Sequence, residues 1–427
     1  MSSSSCASGR PAPRRSFLKL LVATPLFATF ATRSFAATVV TGVGKVVGNP
    51  YLKLGIRPLI NARGTYTYVG GSLELPEVRR AVELASHQFV DMFELQHAAG
   101  RRLAEISGAE FGMVTSGAAA AIATGMAAVF AGTDPQKIWQ LPDTTGMKNE
   151  VVMLGGRNAF DSALRLAGGK LVVAQDLSNL KGAITSQTAM VYTAYHDERV
   201  QDALKITKAA GVPLFVDGSD SVPPFENFTK FAKWGVDMYT ISGGKGLGGP
   251  QCSGVLLGRK DLIEAAMANS APWEGALCRS MKVGKEEIMG ILAAIDYWSK
   301  ADLNVLNRQW QGRVERVAKL VETVPGVTTD IHTPVGSNSY PTLTVHWDEA
   351  GFGLTVAQCA EQLAAGEPRI EALTTLGNRS LIEPLRMPKP NVVNELQVVS
   401  MTLQPGEDLI VGNRIRQVLE KARKTKV

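Results

Sequence analysis

Short apolar runs alternate with longer segments through the middle of this 427-residue chain, and the alternation limits the folds open to it. The runs occupy residues 111–115, 150–154, 170–174, 189–193, 213–216 and 237–241. Each is almost continuously apolar, and enough chain separates it from the next run for a crossover. Strands of this kind form mostly parallel sheets that are covered on both faces. We therefore predict an α/β fold whose ligands collect at the carboxyl ends of the strands.

The chain is too long for one compact core, and its patterns divide it into four segments. We predict a signal segment over residues 1–36, an extended arm over 37–73, a large domain over 74–310 and a smaller α+β domain over 311–427. Periodic apolar residues predict two helices within 75–107 and a long helical stretch over 285–324. In the smaller domain we predict strands near 340–346 and 396–401, and helices near 355–365 and 405–424.

Residues 1–36 have the pattern of a twin-arginine export signal. Arg14 and Arg15 precede an apolar run, and Ala36 closes a small-x-small cleavage site. The apolar run is short and contains Pro25, so we expect no stable membrane anchor. We predict export of the folded protein by the twin-arginine machinery to the periplasm or the exterior, with a basic disordered tail as the alternative. Export after folding suits a protein that must first bind a cytoplasmic cofactor.

Charge and composition argue against several classes of function. The net charge of +6 falls to +1 without residues 1–36, because that segment holds five basic residues and no acidic one. No basic run with interleaved aromatic residues follows, so we expect no nucleic-acid partner. Three cysteines remain after the signal, an odd number that argues against a disulfide framework. The histidines lack metal-ligand spacing, so we expect no metal site.

Lys245 lies among glycines between two apolar runs, in the stretch Ser-Gly-Gly-Lys-Gly-Leu-Gly-Gly-Pro that begins at Ser242. A lysine that forms a Schiff base with an aldehyde cofactor is needed at a strand end, in an uncrowded turn. The earlier run 213–216 ends at Asp217, a carboxylate that would keep a pyridine nitrogen protonated. Together Lys245 and Asp217 predict pyridoxal 5'-phosphate as the cofactor.

Two other glycine motifs and one plain alternative compete for the same turn. Gly244, Gly246 and Gly249 fit the dinucleotide fingerprint, but that fingerprint must open a helix, and here Pro250 and a second strand follow. A phosphate-binding loop requires a hydroxyl residue directly after its lysine, where this chain has Gly246. From this motif alone, an ordinary glycine-rich turn with a solvated lysine is an alternative interpretation that stays open.

Further residues are candidates for binding the cofactor and the substrate. Ser116, Gly117 and Ala118 follow the first strand of the sheet, where an N-capping hydroxyl and small residues favour a phosphate site at a helix N-terminus. A tightly packed capped helix is the alternative. Phe160 is a candidate for stacking on the cofactor ring, although such aromatics are often core residues. The cationic candidates for a substrate carboxylate or phosphate are Arg279, Lys282, Lys285 and Arg369.

The lysine stretch resembles that of the selenocysteine synthase (seryl-tRNA selenium transferase) superfamily of fold type I pyridoxal-phosphate enzymes. Residues 59–67, 108–110, 115–120 and 281–288 resemble its small-molecule branch, that of D-glucosaminate-6-phosphate ammonia lyase. The resemblance implies a seven-stranded large domain with a smaller C-terminal domain. It also implies Lys245 as the Schiff-base lysine, Asp217 as the pyridinium partner, and Ser242 with residues 116–118 as cofactor contacts. A homodimer or larger assembly is expected, with Arg279 and Lys282 able to serve a neighbouring subunit.

The resemblance implies an enzyme acting on an amino acid or amino sugar acid by α,β-elimination, with Lys245 released from its aldimine to take the Cα proton. Racemase, aminotransferase and selenium-transferase-like reactions begin in the same way and stay open, as does a non-catalytic periplasmic amino-acid-binding protein. The tRNA reaction is disfavoured. The selenium transferases carry an acidic residue where this chain has Gly244, and residues 37–73 leave no room for a tRNA-binding domain.

Overall fold

The computed structural model describes residues 48–375 and 393–425. Its strands are β1 (Leu59–Ala62), β2 (Phe111–Thr115), β3 (Glu150–Leu154), β4 (Lys170–Ala174), β5 (Thr188–Thr193), β6 (Leu214–Asp217), β7 (Met238–Ser242), β8 (Gly254–Gly258), β9 (Thr328–His332), β10 (Thr342–His346), β11 (Arg369–Thr374) and β12 (Leu396–Val399). The larger sheet has seven strands in the order β2-β8-β7-β6-β5-β3-β4. Strands β3 to β7 are parallel, whereas β8 is antiparallel to β2 and β7. The predicted mostly parallel α/β sheet is confirmed.

Both faces of the larger sheet are buried, which explains its continuously apolar strands. Val151 and Met153 of β3 belong to one apolar core, and Val152 and Leu154 belong to the core on the opposite face. The alanine-rich helix Ala118–Ala131 covers the first of these faces. It packs so closely that a Cβ at Gly125 would lie 2.8 Å from the Phe215 ring.

The helices connect the strands and cover the sheets. They are Pro50–Lys53, Pro76–Ser86, Met92–Ser107, Ala118–Ala131, Pro135–Gln140, Asp161–Leu166, Leu177–Ala183, Arg199–Ala210, Glu226–Trp234, Lys260–Ala268, Lys285–Trp298, Leu303–Val321, Glu349–Phe352, Val356–Ala365 and Glu407–Thr425, with 3₁₀ turns at Thr67–Val69 and Arg279–Met281. The two helices predicted within 75–107 are confirmed. The long stretch predicted over 285–324 is two helices, because Asp302 caps a new helix by accepting a hydrogen bond from the Asn304 amide at 2.9 Å.

The smaller sheet has five strands in the order β1-β11-β12-β10-β9. Strands β10 and β12 lie where the sequence predicts them, while β1, β9 and β11 were not predicted. Strand β1 comes from the segment predicted as an extended arm and pairs in parallel with β11, with Ala62 opposite Ala372. Its residues Ile60 and Ala62 are buried in the core of this sheet. The N-terminal segment therefore contributes to the smaller sheet, and the domain boundaries stay a prediction.

Over 48–375 and 393–425, no helix has both the length and the apolar character needed to cross a membrane. The same residues contain no group of three or more potential metal ligands. Cys252, Cys278 and Cys359 are free thiols. The predicted export signal lies outside the described residues.

Candidate active site

Asp217 and Lys245 lie at the same edge of the larger sheet. Asp217 is the last residue of β6 and pairs with Thr240 of the neighbouring strand β7, after which the chain turns into the lysine loop. The Lys245 Nζ donates a hydrogen bond to Ser219 Oγ at 3.0 Å. The structure therefore brings the two predicted residues together, with Ser219 between them in the chain and in contact with both.

The Asp217 carboxylate is buried and held by two donors. Its Oδ2 accepts a hydrogen bond from the Tyr192 hydroxyl at 2.7 Å, and its Oδ1 accepts one from the Ser219 amide at 3.1 Å. Burial, and then the charge of Asp217, raise the pKa of the Tyr192 phenol, so this group keeps its proton and acts as a donor. His196 Nε2 lies 2.7 Å from the backbone oxygen of Asp217. These contacts fix a carboxylate that faces a cavity.

The glycines of the lysine loop are required by close packing. A Cβ at Gly246 would lie 2.1 Å from the Val222 carbonyl oxygen, and one at Gly244 would lie 2.6 Å from the Gln251 side-chain oxygen. An acidic side chain at Gly244 would therefore displace Gln251. The loop joins β7 to the antiparallel strand β8, a strand–turn–strand arrangement that excludes the dinucleotide fingerprint.

Two cavities meet at Lys245. The first, of about 390 Å³, is called the Asp217 cavity and is lined by Asn158, Phe160, Ala194, Tyr195, His196, Asp197, Arg199, Asp217, Ser219, Asp220, Lys245, Val335, Gly336 and Ser337. The second, of about 360 Å³, is called the Arg63 cavity. Its walls are formed by residues 63–67, Phe160, Asp220, Lys245, His332, Pro334, Ser337, Asn338, Tyr340, Thr342, Leu373, Gln397 and Val399. Lys245, Phe160, Asp220 and Ser337 line both cavities, whereas Asp217 lines only the first.

Phe160 forms part of the wall shared by both cavities. The Lys245 Nζ lies 5.8 Å from the centroid of its ring, and the side chain is half exposed rather than part of the core. Phe160 is therefore at the site and beside the lysine. Its role in stacking stays a prediction.

Ser116 does not cap the helix Ala118–Ala131, contrary to the expectation from sequence. Its hydroxyl donates instead to the Met281 carbonyl at 2.8 Å, and Gly117, with φ of +98°, occupies the capping position without a side-chain hydrogen bond. The first amide groups of the helix therefore have no side-chain acceptor, a state that suits an anion. Ser242 is the last residue of β7, and its amide donates to the Ser219 carbonyl at 3.1 Å.

The predicted cationic residues occupy three different surroundings. Arg279 and Lys282 lie within two residues of Met281, whose carbonyl accepts the Ser116 hydroxyl, but neither lines the two cavities at Lys245. Lys285 donates to the Ala85 carbonyl at 3.0 Å and also contacts Glu286, which gives it a structural role. Arg369 pairs with Glu371 in a separate cavity, so the described residues do not bring it to Lys245.

Sequence reasoning missed several residues of the site, among them Arg63, Tyr192, His196 and Ser219. Tyr192 lies inside a continuously apolar strand, where an aromatic residue signals core packing. Ser219 follows Asp217 by two residues, and this short spacing after a strand end could have identified it as a site residue. Arg63 belongs to the stretch 59–67 that carries the family resemblance, but no role was assigned to it.

Comparison with known proteins agrees with this geometry. The aminotransferase class-V family model matches residues 170–350. The chain is 31% identical to D-glucosaminate-6-phosphate ammonia lyase of Salmonella typhimurium over 76% of this chain and 89% of the relative. The chain belongs to the selenocysteine synthase-like superfamily of pyridoxal-phosphate enzymes, on the branch of that lyase. A solved structure of D-glucosaminate-6-phosphate ammonia-lyase matches with a TM-score of 0.71 and 28% identity, over 88% of this chain and 99% of that one.

A second relative carries a different name. The chain is 30% identical to 5'-C-glycyluridine monooxygenase-decarboxylase of a Streptomyces species, over 75% of this chain and 83% of the relative. As a member of the pyridoxal-phosphate superfamily, the present chain is an enzyme, and its cofactor is pyridoxal 5'-phosphate. The amine of Lys245 and the buried carboxylate of Asp217 fit that group. Residues 116–118 line neither cavity at Lys245, so their role in holding its phosphate stays a prediction.

Proposed function

We propose that this enzyme releases ammonia from an amino acid or amino sugar acid by α,β-elimination of water and hydrolysis of the resulting enamine. The observation that carries the proposal is the position of the Lys245 amine, which lies where the Asp217 cavity and the Arg63 cavity meet. A cofactor ring in the first cavity and a substrate in the second would both reach this amine. The name of the 31% identical relative, an ammonia lyase, supports the choice of elimination.

The residues of the site have separable tasks in such a reaction. Pyridoxal phosphate, when bound, supplies an electron sink for the charge left at Cα. Lys245 takes the Cα proton as general base, and Ser219 Oγ orients its amine from 3.0 Å. Asp217 holds a proton at the ring nitrogen, and Tyr192 fixes the carboxylate that does so. The Cα proton and the β-hydroxyl would leave together as one water, and the enamine product would take up one water to give a 2-oxo acid and ammonia.

The decisive experiment compares wild type with Lys245→Ala over a panel of hydroxy amino acids and aldonic amino acids. Wild type is expected to show the near-visible absorption of the bound cofactor, to exchange the Cα proton for solvent deuterium, and to release ammonia. Lys245→Ala should lose all three, while Lys181→Ala, an exposed matched control, should retain them. A wild type without bound cofactor would refute the proposal.

The same panel separates elimination from the other reactions that this superfamily allows. Exchange at Cα without ammonia would identify a racemase, and net transfer of the amine to a 2-oxo acid would identify an aminotransferase. Binding without exchange would favour a non-catalytic periplasmic binding protein. A reaction that needs oxygen and releases carbon dioxide would match the name of the Streptomyces relative.

We also propose that the protein is exported in the folded state by the twin-arginine route to the periplasm or the exterior. The order of paired arginines, apolar run and cleavage site in residues 1–36 supports this. Exchanging Arg14→Lys and Arg15→Lys together should retain the precursor in the cytoplasm, as measured by cell fractionation. Unchanged export of the double variant would contradict the proposal.

We further propose a homodimer or larger assembly in which Arg279 and Lys282 serve the site of a neighbouring subunit. Support comes from the position of both residues within two residues of Met281 and outside the cavities at Lys245. The exposed aromatic pair Phe93 and Trp273, whose ring centroids are 4.8 Å apart, adds to it. Analytical ultracentrifugation measures the assembly. Mixing Lys245→Ala subunits with Arg279→Ala subunits should restore activity, and absence of complementation would refute the shared site.

A further inference from the structure

Arg63 is a buried cation with two unused hydrogen-bond donors. Only 6% of the surface of this residue is exposed to solvent. Its Nη1 donates to the Ala372 carbonyl at 2.9 Å, whereas Nε and Nη2 have no hydrogen-bond partner. A buried donor without an acceptor is costly, and the cost is larger for a charged group. An arginine held in this state is therefore expected to have a ligand as its acceptor.

The protein fixes the orientation of this guanidinium from several sides. Arg63 directly follows β1, and its carbonyl acceptor Ala372 lies on the neighbouring strand β11. Asn61 Oδ1 accepts the backbone amide of Arg63 at 3.0 Å, which sets the turn after the strand. The ring centroids of Tyr66 and Tyr68 lie 5.2 and 5.3 Å from the guanidinium carbon, within the range of cation–π attraction. Such fixation reduces the entropy lost when a ligand binds.

The free donors have the geometry that a carboxylate requires. The Nε and Nη2 hydrogens of a guanidinium lie on one edge and point in parallel, so they match the two oxygens of a carboxylate. Arg63 lines the same cavity as Lys245. The acidic residue of that cavity, Asp220, is already engaged, because its Oδ2 accepts from Asn338 Nδ2 at 3.2 Å.

We propose that Arg63 binds the α-carboxylate of the substrate. This inference rests on the proposed function in one respect, that the substrate is an amino acid or amino sugar acid whose amine reacts at Lys245. The carboxylate is attached to the same carbon as that amine, so it must enter the cavity next to Lys245. Arg63 thereby selects acids over the corresponding amines and alcohols.

The test measures binding of acids that carry no amine and so cannot react at Lys245. Calorimetry on the cofactor-loaded enzyme should show that wild type binds D-gluconate, and D-lactate more weakly, but not sorbitol. Arg63→Met should weaken D-gluconate binding by about 10- to 100-fold, the range expected for a hydrogen-bonded charge pair. Arg63→Lys keeps the charge but not the two parallel donors, so an intermediate loss is expected.

Arg313→Met is the matched control. Arg313 is a partly buried arginine that, like Arg63, donates Nη1 to a backbone carbonyl, that of Ser400 at 3.2 Å, but it lines neither cavity. It should bind D-gluconate as wild type does. Cofactor absorption and thermal unfolding of the Arg63 variants verify that they are folded and loaded. Binding of D-gluconate unchanged in Arg63→Met, or absent in wild type, would overturn the assignment.

Sorbitol 6-phosphate separates the two possible sources of the anion. Sorbitol 6-phosphate could bind wild type more tightly than D-gluconate does, and Arg63→Met could remove that difference in affinity. In that case Arg63 binds a phosphate group, and the carboxylate assignment is wrong. Failure of the proposed elimination leaves a different signature. In that case ammonia release is missing, while the dependence of acid binding on Arg63 is still measured directly.

Discussion

The Tyr192 hydroxyl lies 2.7 Å from Asp217 Oδ2, and both side chains are buried. Burial raises the pKa of the tyrosine, and the neighbouring carboxylate raises it further. The raised pKa keeps the phenol protonated, so Tyr192 is the donor in this hydrogen bond. Asp217 in turn is the group placed to hold a proton on the cofactor ring. The pair makes Tyr192 a positioning residue that acts through Asp217.

Tyr192→Phe should weaken cofactor binding by on the order of tenfold, because Asp217 Oδ2 would lose a buried donor worth about 1–3 kcal/mol. Cofactor affinity, measured by absorbance titration of the cofactor-free protein, checks this. Tyr239→Phe is the control, since this buried tyrosine donates to the Phe228 carbonyl at 3.1 Å and lines neither cavity. Equal losses of cofactor affinity in the two variants would refute a specific role for Tyr192.

Gly246→Ala should displace the lysine loop. The added Cβ would lie 2.1 Å from the Val222 carbonyl oxygen and 2.5 Å from Pro223 Cδ, so part of the backbone must move. We expect a loss of at least about 2 kcal/mol in the free energy of unfolding and a loss of the cofactor absorption band. Gly182→Ala is the control, because a Cβ there meets nothing within 4 Å inside the helix Leu177–Ala183. That variant should be neutral or gain about 0.5–1 kcal/mol, as measured by urea unfolding.

The larger sheet and the pair of Lys245 with Asp217 were predictable from the sequence because both depend on local pattern. Strands buried on two faces must be apolar at almost every position, as Val151 to Leu154 are, and this makes them visible as runs. The carboxyl ends of parallel strands lie at one edge, so the residues that end or follow them come together. Phe160 was found for the same reason, since it lies in the loop after β3.

The rest of the site depends on contacts that local pattern does not encode. Arg63 donates to Ala372, a residue 309 positions away, and β1 is recognisable as a strand only through its pairing with β11. Tyr192 looks like a core residue until the register places its hydroxyl against Asp217. Ser116 follows a strand in the position of a cap, but the Met281 carbonyl competes for its hydroxyl.

Glu407→Gln should stabilise the protein at neutral pH and lose this advantage in acid. Burial raises the pKa of Glu407, so the folded state binds the proton more tightly than the unfolded chain. Its stabilising contribution is therefore present at low pH and is lost as the pH rises through the folded-state pKa. Glutamine keeps an oxygen for the Gln404 amide, which Glu407 accepts at 2.8 Å, and cannot ionise. Urea unfolding at about pH 4 and about pH 8 measures the difference, with exposed Glu361→Gln expected to show none.

Asn338 links a loop of the smaller sheet to the active-site wall, and its replacement should separate hydrogen bonding from backbone strain. Its backbone N–H donates to the Asp220 backbone carbonyl at 2.9 Å. Its side-chain Nδ2 donates to Asp220 Oδ2 at 3.2 Å, and its side-chain Oδ1 accepts from the Tyr340 hydroxyl at 2.8 Å. Its φ of +47° lies in the left-handed region, which asparagine tolerates better than alanine does.

Asn338→Gly loses the side-chain bonds without strain, whereas Asn338→Ala loses them and adds about 1–2 kcal/mol of strain. Both variants should increase hydrogen exchange of residues 334–340, because the loop is held to Asp220 partly through the side chain. Alanine should lower the free energy of unfolding further than glycine does, as measured in urea. Equal losses would mean that the hydrogen bonds alone hold the loop, and a smaller loss for alanine would show that the loop changes its backbone conformation when the asparagine is removed.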